Sequence, residues 1–371
     1  MFPLFNKVST RPSLKEFRTL VCMLLTCSMT LSVSLLFPLR AHASGNNAPP
    51  GVTTHSFSQH DRDMTAAFWT PERMKAARPL DDIIKPSIPL AFAHSGSPLK
   101  QARSGHPDGP MVSRAPVPPQ YPATFTIQST RATPSSAQPV PQSTYATEHP
   151  TVGRIFATIS QGVGVQCSGV LLVSKNHSVI DTAAHCLYDP NKQTWFQNLM
   201  FCPQYFNGCP GDMWYARYAA MDTGWMSSHN SEQDFGDFSV APNLDGISIG
   251  SFIGGSGYLY DGPHYTSEDA YGYPHNLSNG EIMYTCSGSG APVPGSRTPA
   301  PSPLLSGIPC DMGEGSSGGP WFTHYNGGVF VNGHSDAGTI IPTTNGQSIS
   351  IMVSPYYNDE WYNIYNLVQE H

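Results

Sequence analysis

Short apolar stretches separated by turn residues occupy the chain from about Thr151 onward. They read RIFATIS, SGVLLVS, HSVIDTA, FSVAP, GVFVNG and ISIMVSP. Short runs rich in Val, Ile and Phe, bounded by Gly, Asn, Ser and Pro, are typical of an all-β domain with many strands. The end of the chain differs, because Trp361, Ile364, Tyr365 and Val368 recur at helical spacing and predict a C-terminal helix.

Residues 1–43 have the pattern of a secretory signal peptide. Four basic residues precede the apolar run LVCMLLTCSMTLSVSLLFPL, and the tripeptide Ala-His-Ala ends at Ala43. A basic region, an apolar region and an Ala-x-Ala end predict export, so we expect a secreted, extracellular protein with no membrane attachment after processing. The run also approaches transmembrane length, so an uncleaved membrane anchor is the alternative.

Residues 44–147 are rich in Pro, Ser, Ala and Gln and show little periodicity. Such a composition buries too little apolar surface to offset chain entropy, which predicts a largely disordered pro-segment. One island, FWTPERMKAARPL, is an exception. Thr70 can cap a helix there and Pro71 suits its first position, so we expect a short helix that docks through Phe68 and Trp69. A helical turn isolated in a linker is the alternative.

Charge divides the chain at the same place. Of the 19 Lys and Arg residues, 14 lie at or before Arg131, whereas 19 of the 26 acidic residues lie from Glu148 onward. Residues 148–371 are therefore strongly acidic, which excludes nucleic acid as an expected partner. We place the boundary of the folded domain at residue 148.

Six of the eight cysteines remain after removal of residues 1–43. An even number of cysteines in an exported chain predicts disulfides. A metal site is the competing interpretation, but the sequence has no Cys-x-x-Cys or His cluster to support it, and we expect neither metal nor cofactor. Six cysteines allow fifteen pairings; spacing favours the neighbour pairs Cys167–Cys186, Cys202–Cys209 and Cys286–Cys310.

The stretch CDMGEGSSGGPWF, residues 310–322, places two serines among glycines. Amide hydrolysis through serine needs a base beside the hydroxyl, a group that orients the base, and donors for the oxyanion. Ser317 directly precedes Gly-Gly-Pro, and Gly315 lies two positions earlier. The backbone N–H groups of Gly315 and Ser317 can therefore point into one oxyanion hole. Ser316 is expected to point elsewhere.

A histidine in a specific context supplies the candidate base. His185 stands in DTAAHC, after an apolar strand and directly before Cys186. A disulfide from Cys186 to Cys167 would fix the turn that carries the imidazole. A lone histidine is more often structural than catalytic, but this position at a strand end beside a cysteine favours a catalytic role.

The segments CSGVLL, DTAAHC and GSSGGP together resemble the trypsin-like serine peptidases of the chymotrypsin fold. The resemblance covers about residues 150–368 and is greatest to secreted bacterial members related to glutamyl endopeptidases. It implies two six-stranded antiparallel β-barrels with the active site between them, His185 as base and Ser317 as nucleophile. It also implies a pre-pro-protein that acts as a monomer on polypeptide substrates and whose further partner is its own pro-segment.

The orienting aspartate must lie between His185 and Ser317, because this family runs His, Asp, Ser along the chain. The segment SEQDFGDFSVAPN offers Asp234 and Asp237. In the family an aspartate followed by an aromatic or aliphatic residue and then Ala or Gly opens a strand, which favours Asp234. Residues three apart in a strand face opposite sides, so only one can orient His185. Asp237 is the alternative.

Substrate preference is left open by two conflicting signals. Asp311 lies six residues before Ser317, where trypsins hold the aspartate that selects Arg or Lys. In contrast, NGHSDAG resembles the substrate-binding strand, and His334 precedes Ser335 as in glutamyl endopeptidases, which favours Glu or Asp. Asp311, His334 and Ser335 are therefore candidate substrate-binding residues.

Two other functions compete with an endopeptidase. A protease-like domain could bind a partner without cutting, and an esterase could use the same triad. Complete His, Asp and Ser positions argue against a decayed enzyme. Ser316 stands where animal trypsins have aspartate, and the Ile-Val-Gly-Gly start is absent, so activation is expected through removal of the pro-segment.

Overall fold

The computed structural model describes residues 48–80, 103–105, 136–159, 162–293, 305–342 and 348–371. The signal peptide predicted over residues 1–43 lies outside this part of the chain. Within it, no helix combines the length and apolar character needed to cross a bilayer.

Seven short elements precede the acidic half of the chain. They are β1 (Val52–Ser56), α1 (Gln59–Phe68), α2 (Pro71–Ala76), β2 (Arg78–Pro79), β3 (Arg103–Gly105), β4 (Gln138–Pro139) and α3 (Gln142–Glu148).

The next ten elements include a closed barrel. They are β5 (Val152–Thr158), β6 (Gly164–Leu171), β7 (Val179–Ala183), β8 (Tyr188–Asp189), β9 (Thr194–Trp195), β10 (Gln197–Pro203), β11 (Trp214–Asp222), α4 (Thr223–Ser228), β12 (Phe235–Val240) and α5 (Ile249–Ile253). The strands pair antiparallel in the order β11-β10-β5-β6-β7-β12, and β12 pairs again with β11. This last pairing closes a six-stranded barrel, whose interior holds an apolar core that includes Ile155, Leu171 and Phe238.

The remaining elements form the second half. They are β13 (Tyr258–Tyr260), β14 (Ser267–Gly272), α6 (His275–Ser278), β15 (Tyr284–Ser289), β16 (Ala291–Pro292), β17 (Leu305–Pro309), β18 (Pro320–Tyr325), β19 (Gly328–His334), β20 (Ala337–Pro342), β21 (Ser348–Pro355) and α7 (Asp359–Val368).

Two sheets build this half, one containing β19-β18-β14-β15 and the other β16-β17-β21-β20. The Cys286–Cys310 disulfide joins β15 to the residue after β17. A Cβ added at Gly333 on β19 would lie 2.2 Å from Ser354 Oγ on β21, so these strands also pack closely. The predicted all-β architecture of chymotrypsin type is confirmed.

The predicted C-terminal helix is α7. Asn358 caps it by accepting from the backbone N–H groups of Glu360 and Trp361. The four residues at helical spacing, Trp361 to Val368, are all buried. The helix therefore packs its apolar face on the domain, as the periodicity predicted.

Residues 48–80 form strands and helices packed on the barrel, although residues 44–147 were expected to be largely disordered outside FWTPERMKAARPL. Strand β1 pairs with β11, and β2 pairs in parallel with β6. Thr70 caps α2, and Trp69 is 3% exposed and donates from Nε1 to Asn198 O at 2.7 Å. A few large apolar side chains in this segment are thus buried against the barrel. This burial supplies the stabilisation that the local composition of the segment lacks.

The three disulfides join Cys167 to Cys186, Cys202 to Cys209 and Cys286 to Cys310. These are the pairings that the spacing favoured. The first one links β6 to the turn after β7.

Candidate active site

A short 3-10 turn after β7 carries His185, and Asp234 directly precedes β12. Strands β7 and β12 pair antiparallel with Phe235 opposite Ala183, which brings the two residues together. The Nδ1 atom of His185 lies 2.6 Å from Asp234 Oδ2, and the His185 backbone N–H donates to Oδ1 at 2.9 Å. Both carboxylate oxygens therefore orient the histidine.

Electrostatics keep Asp234 ionised. Its side chain is fully buried. Burial opposes ionisation, but the charge and hydrogen bond of His185 outweigh it and hold the pKa of Asp234 below its ordinary value. The arrangement suits a carboxylate that fixes the tautomer of a catalytic imidazole.

Asp237 lies elsewhere. It is buried and stands opposite Asp181 of β7 in the strand register. Burial, followed by repulsion from Asp181, raises the pKa of Asp237 well above its ordinary value. Of the two candidates, the structure brings only Asp234 to His185.

The turn that carries Ser317 depends on glycine. Gly318 has a φ of +75°, and a Cβ there would lie 1.9 Å from Thr182 Oγ1. A Cβ at Gly319 would lie 2.1 Å from a backbone carbonyl of β14. The Ser317 carbonyl accepts from the Ser168 backbone N–H at 2.8 Å, which ties the turn to β6. These contacts explain the two glycines after the serine.

The carbonyl groups of the peptides before Gly315 and Ser317 are both hydrogen-bonded. The carbonyl of Glu314 accepts from the His275 N–H at 2.8 Å, and that of Ser316 accepts at 2.9 Å from the second glycine of Ser-Gly-Gly. In a trans peptide the N–H points opposite to the carbonyl. The N–H groups of Gly315 and Ser317 therefore each point away from the partner of the preceding carbonyl, which is compatible with the expected role as oxyanion donors.

Two further contacts stabilise this turn. The Gly315 carbonyl accepts from Ser168 Oγ at 2.8 Å. The Ser316 hydroxyl donates to Gly313 O at 2.6 Å, so this side chain points into the turn, as expected.

His185, Asp234 and Ser317 line one cleft of about 440 Å³. Its wall also includes Leu80, from the ordered N-terminal segment. Other lining side chains are mostly apolar or uncharged and include Tyr188, Trp225, Met312, Ser335, Met352 and Val353.

Two of the three expected substrate-binding residues lie away from the cleft. His334 is fully buried, with Nε2 2.9 Å from Asp234 O and Nδ1 2.9 Å from the Tyr357 hydroxyl. Asp311 accepts from the Ala137 backbone N–H at 2.6 Å. Neither is among the described residues that line the cleft, whereas Ser335 is. Side chains alternate along a strand, so His334 and Ser335 face opposite sides.

Sequence reasoning missed Asp336, the residue after Ser335. Its carboxylate, that of Asp234 and a ring nitrogen of His185 lie within 4.8 Å of one another. A His-Asp-Asp group of this size could ligate a cation, but His185 and Asp234 already bond each other. The available signal was an acidic residue inside the predicted substrate-binding strand.

No protein-family model and no curated protein matches the sequence. The thermostable serine protease AL20 from an extremophilic microorganism is 27% identical with a TM-score of 0.53, over 62% of this chain and 99% of that one. A Glu endopeptidase is 17% identical with a TM-score of 0.49, over 63% and 97%. The protease Anisep from Arthrobacter nicotinovorans is 30% identical with a TM-score of 0.52, over 60% and 96%. The chain belongs to the chymotrypsin-fold serine peptidases.

Proposed function

We propose that this chain is a secreted serine endopeptidase that uses His185, Asp234 and Ser317. The observation that carries the proposal is the hydrogen-bonded His185–Asp234 pair, which lines the same cleft as Ser317 in its glycine-rich turn. A chain that folds in this manner presents a base, its orienting carboxylate, a nucleophile and oxyanion donors together.

The chemistry follows from these positions. With its Nδ1 proton held by Asp234, the imidazole keeps Nε2 as the base that takes the Ser317 proton. The serine oxygen attacks the substrate carbonyl, and the N–H groups of Gly315 and Ser317 bind the oxyanion. The imidazolium then protonates the leaving amine, and water releases the acyl group by the reverse sequence.

A binding domain without catalysis is the alternative. Backbone contacts that admit no side chain at Gly318 and Gly319 argue for catalysis, since a binding surface needs neither that turn nor a buried Asp234.

The residues that line the cleft favour substrates with a neutral, apolar side chain at the cleaved position. Met312 and Met352 are buried at the cleft, beside Trp321 in one apolar cluster. The Ser335 hydroxyl accepts from Trp321 Nε1 at 3.1 Å and donates to Met352 Sδ at 2.9 Å. Lys and Arg do not occur among the described lining residues, so an acidic substrate side chain would lack a cationic partner.

Secretion and maturation belong to the same proposal. The signal would be removed after Ala43, and a second cut would fall before the β-domain. Arg114 and Arg131, candidates for a basic-specific cut, lie outside the described residues, and Glu148 ends α3. Because the described cleft residues include no Lys or Arg, a cut after Glu148 would require another protease.

A fluorophosphonate probe on the purified protein tests the function. We expect labelling that maps to Ser317, no labelling of Ser317→Ala, and cleavage of a peptide library after apolar residues. Absence of labelling in correctly folded protein would support the binding-domain alternative. Labelling with ester hydrolysis but no peptide cleavage would support an esterase. Cleavage after Glu, Asp, Lys or Arg would overturn the apolar preference alone.

A further inference from the structure

The carboxyl group of Asp336 lies against the orienting aspartate of the candidate triad. Asp336 follows β19, and its backbone N–H donates to Val353 O at 2.9 Å, which fixes the residue to β21. A carboxylate oxygen of Asp336 lies within 4.8 Å of one of Asp234, close enough for the two carboxyl groups to interact directly. Both carboxylates lie within 4.8 Å of a ring nitrogen of His185.

Two carboxylates can share a hydrogen bond only when one carries a proton. Both Asp234 oxygens accept from His185, one from the backbone N–H and one from the ring. The Oδ2 atom of Asp336 is buried, and no donor in the described part of the chain is placed to satisfy it. A proton on Asp336 satisfies this oxygen by making it the donor to Asp234.

Charged and titratable groups face the pair from several elements. His185, from the turn after β7, and the Ser231 hydroxyl, from the segment before β12, both favour ionisation of Asp336, but burial and repulsion from Asp234 outweigh them. His334 lies behind Asp234, and His229 and Glu314 line the same cleft. Burial, then repulsion from Asp234, raises the pKa of Asp336 well above its ordinary value, whereas the pKa of Asp234 is held low.

We propose that Asp336 is a positioning residue for the proposed reaction, and that its protonated carboxyl group donates a hydrogen bond to the Asp234 carboxylate. This inference rests on the proposed function. The bond orients Asp234 toward His185 and draws negative charge away from the imidazole. Asp234 therefore stabilises imidazolium less than an isolated carboxylate would, and His185 remains a neutral base to lower pH.

The test compares Asp336→Ala with Asp336→Asn. Alanine removes the donor, and asparagine keeps a donor that does not titrate. We expect Asp336→Ala to lower kcat/KM about 10- to 100-fold, the usual effect of losing a hydrogen bond to a charged group. Its acid limb should move to higher pH, because His185 then faces a full carboxylate charge.

Asp336→Asn should recover most of the rate lost in the alanine variant and keep the acid limb of the wild type. Because the asparagine amide does not titrate, any loss of activity that follows ionisation of Asp336 in the wild type should be absent from this variant. The pH dependence of kcat/KM, measured from pH ~5 to ~11 at constant ionic strength, provides these readouts.

Two results would overturn the inference: superimposable pH profiles in all three proteins, or equal loss in Asp336→Asn and Asp336→Ala. Thermal unfolding and fluorophosphonate labelling confirm that each variant is folded. If Asp336→Ala does not fold, Asp336→Ser replaces it. We expect its kcat/KM to lie between that of the wild type and the background rate. A pH profile of kcat/KM identical to that of the wild type would contradict the inference. A wild-type protein that fails to label would overturn the proposed function itself, a different outcome from labelled proteins with identical profiles.

Discussion

The substitution Asp234→Asn tests the geometry of the triad most directly. Asp234 accepts the ring proton of His185 at 2.6 Å and the backbone proton of the same residue at 2.9 Å. Asparagine has nearly the same shape but only one oxygen. It must therefore fail at one of these two contacts.

Both orientations of the new amide impair the reaction. If its oxygen stays on the His185 backbone N–H, its NH₂ donates to Nδ1 and forces the ring proton onto Nε2, which can no longer accept the Ser317 proton. If the amide is reversed, two buried donors face each other at the backbone, at a cost of about 1–3 kcal/mol for each unsatisfied group. In either orientation the imidazolium also loses its counter-charge.

The expected loss in kcat is about 10⁴-fold, as for the same change in other serine proteases, or about 5 kcal/mol of transition-state free energy. Steady-state kinetics on a peptide with an apolar residue at the cleaved position measures it. Asp237→Asn is the matched control. Asp237 lies opposite Asp181 rather than beside His185, so asparagine should change kcat/KM less than about threefold.

The reverse pattern, with a mild Asp234→Asn and an inactive Asp237→Asn, would refute the assignment. It would mean that Asp237 reaches His185 in the working enzyme and that the register of β12 on β7 differs from the one described. Equal and large losses in both variants, with unchanged thermal unfolding, would show that the two carboxyl groups act together.

Three further substitutions test other parts of the structure. Ser317→Ala should lower kcat by about 10⁶-fold, whereas Ser316→Ala should retain most activity because its hydroxyl only braces the turn; equal losses in the two would contradict the choice of nucleophile. Trp69→Ala should lower the free energy of unfolding, measured by urea titration, by about 3–5 kcal/mol, because the indole is buried on the first barrel. A change below ~1 kcal/mol would mean that residues 48–80 are not part of the fold. Burial raises the pKa of Glu268 from 4.5 to about 7. The wild type should therefore lose roughly 3 kcal/mol of stability as pH rises through this interval. Glu268→Gln should remove that loss, and equal pH slopes in urea titrations would exclude the effect.

Local sequence was sufficient for the features whose physical cause is local. The Ser317 turn places Gly315 and Gly318 at φ values of +90° and +75°, which glycine adopts without steric cost, so GSSGGP identified it. His185 was identifiable from a strand end followed by a cysteine. Helix α7 followed from a 3.6-residue apolar period and its Asn358 cap, both contained in one short segment.

Other features depended on contacts between distant residues. Asp234 and Asp237 occur in similar local sequence, and only the pairing of β12 with β7 brings the first to His185. His334 was expected to meet substrate from a resemblance in local sequence, but the fold buries its side chain behind Asp234.

The order of residues 48–80 and the pairing of Asp336 with Asp234 have the same origin. Trp69 is buried by residues more than eighty positions later in the chain, and the two carboxyl groups are about a hundred residues apart. Composition and periodicity reflect only the interactions of residues that are close together along the chain. Burial of an isolated tryptophan and the protonation of an acid are decided by what the completed fold places around them.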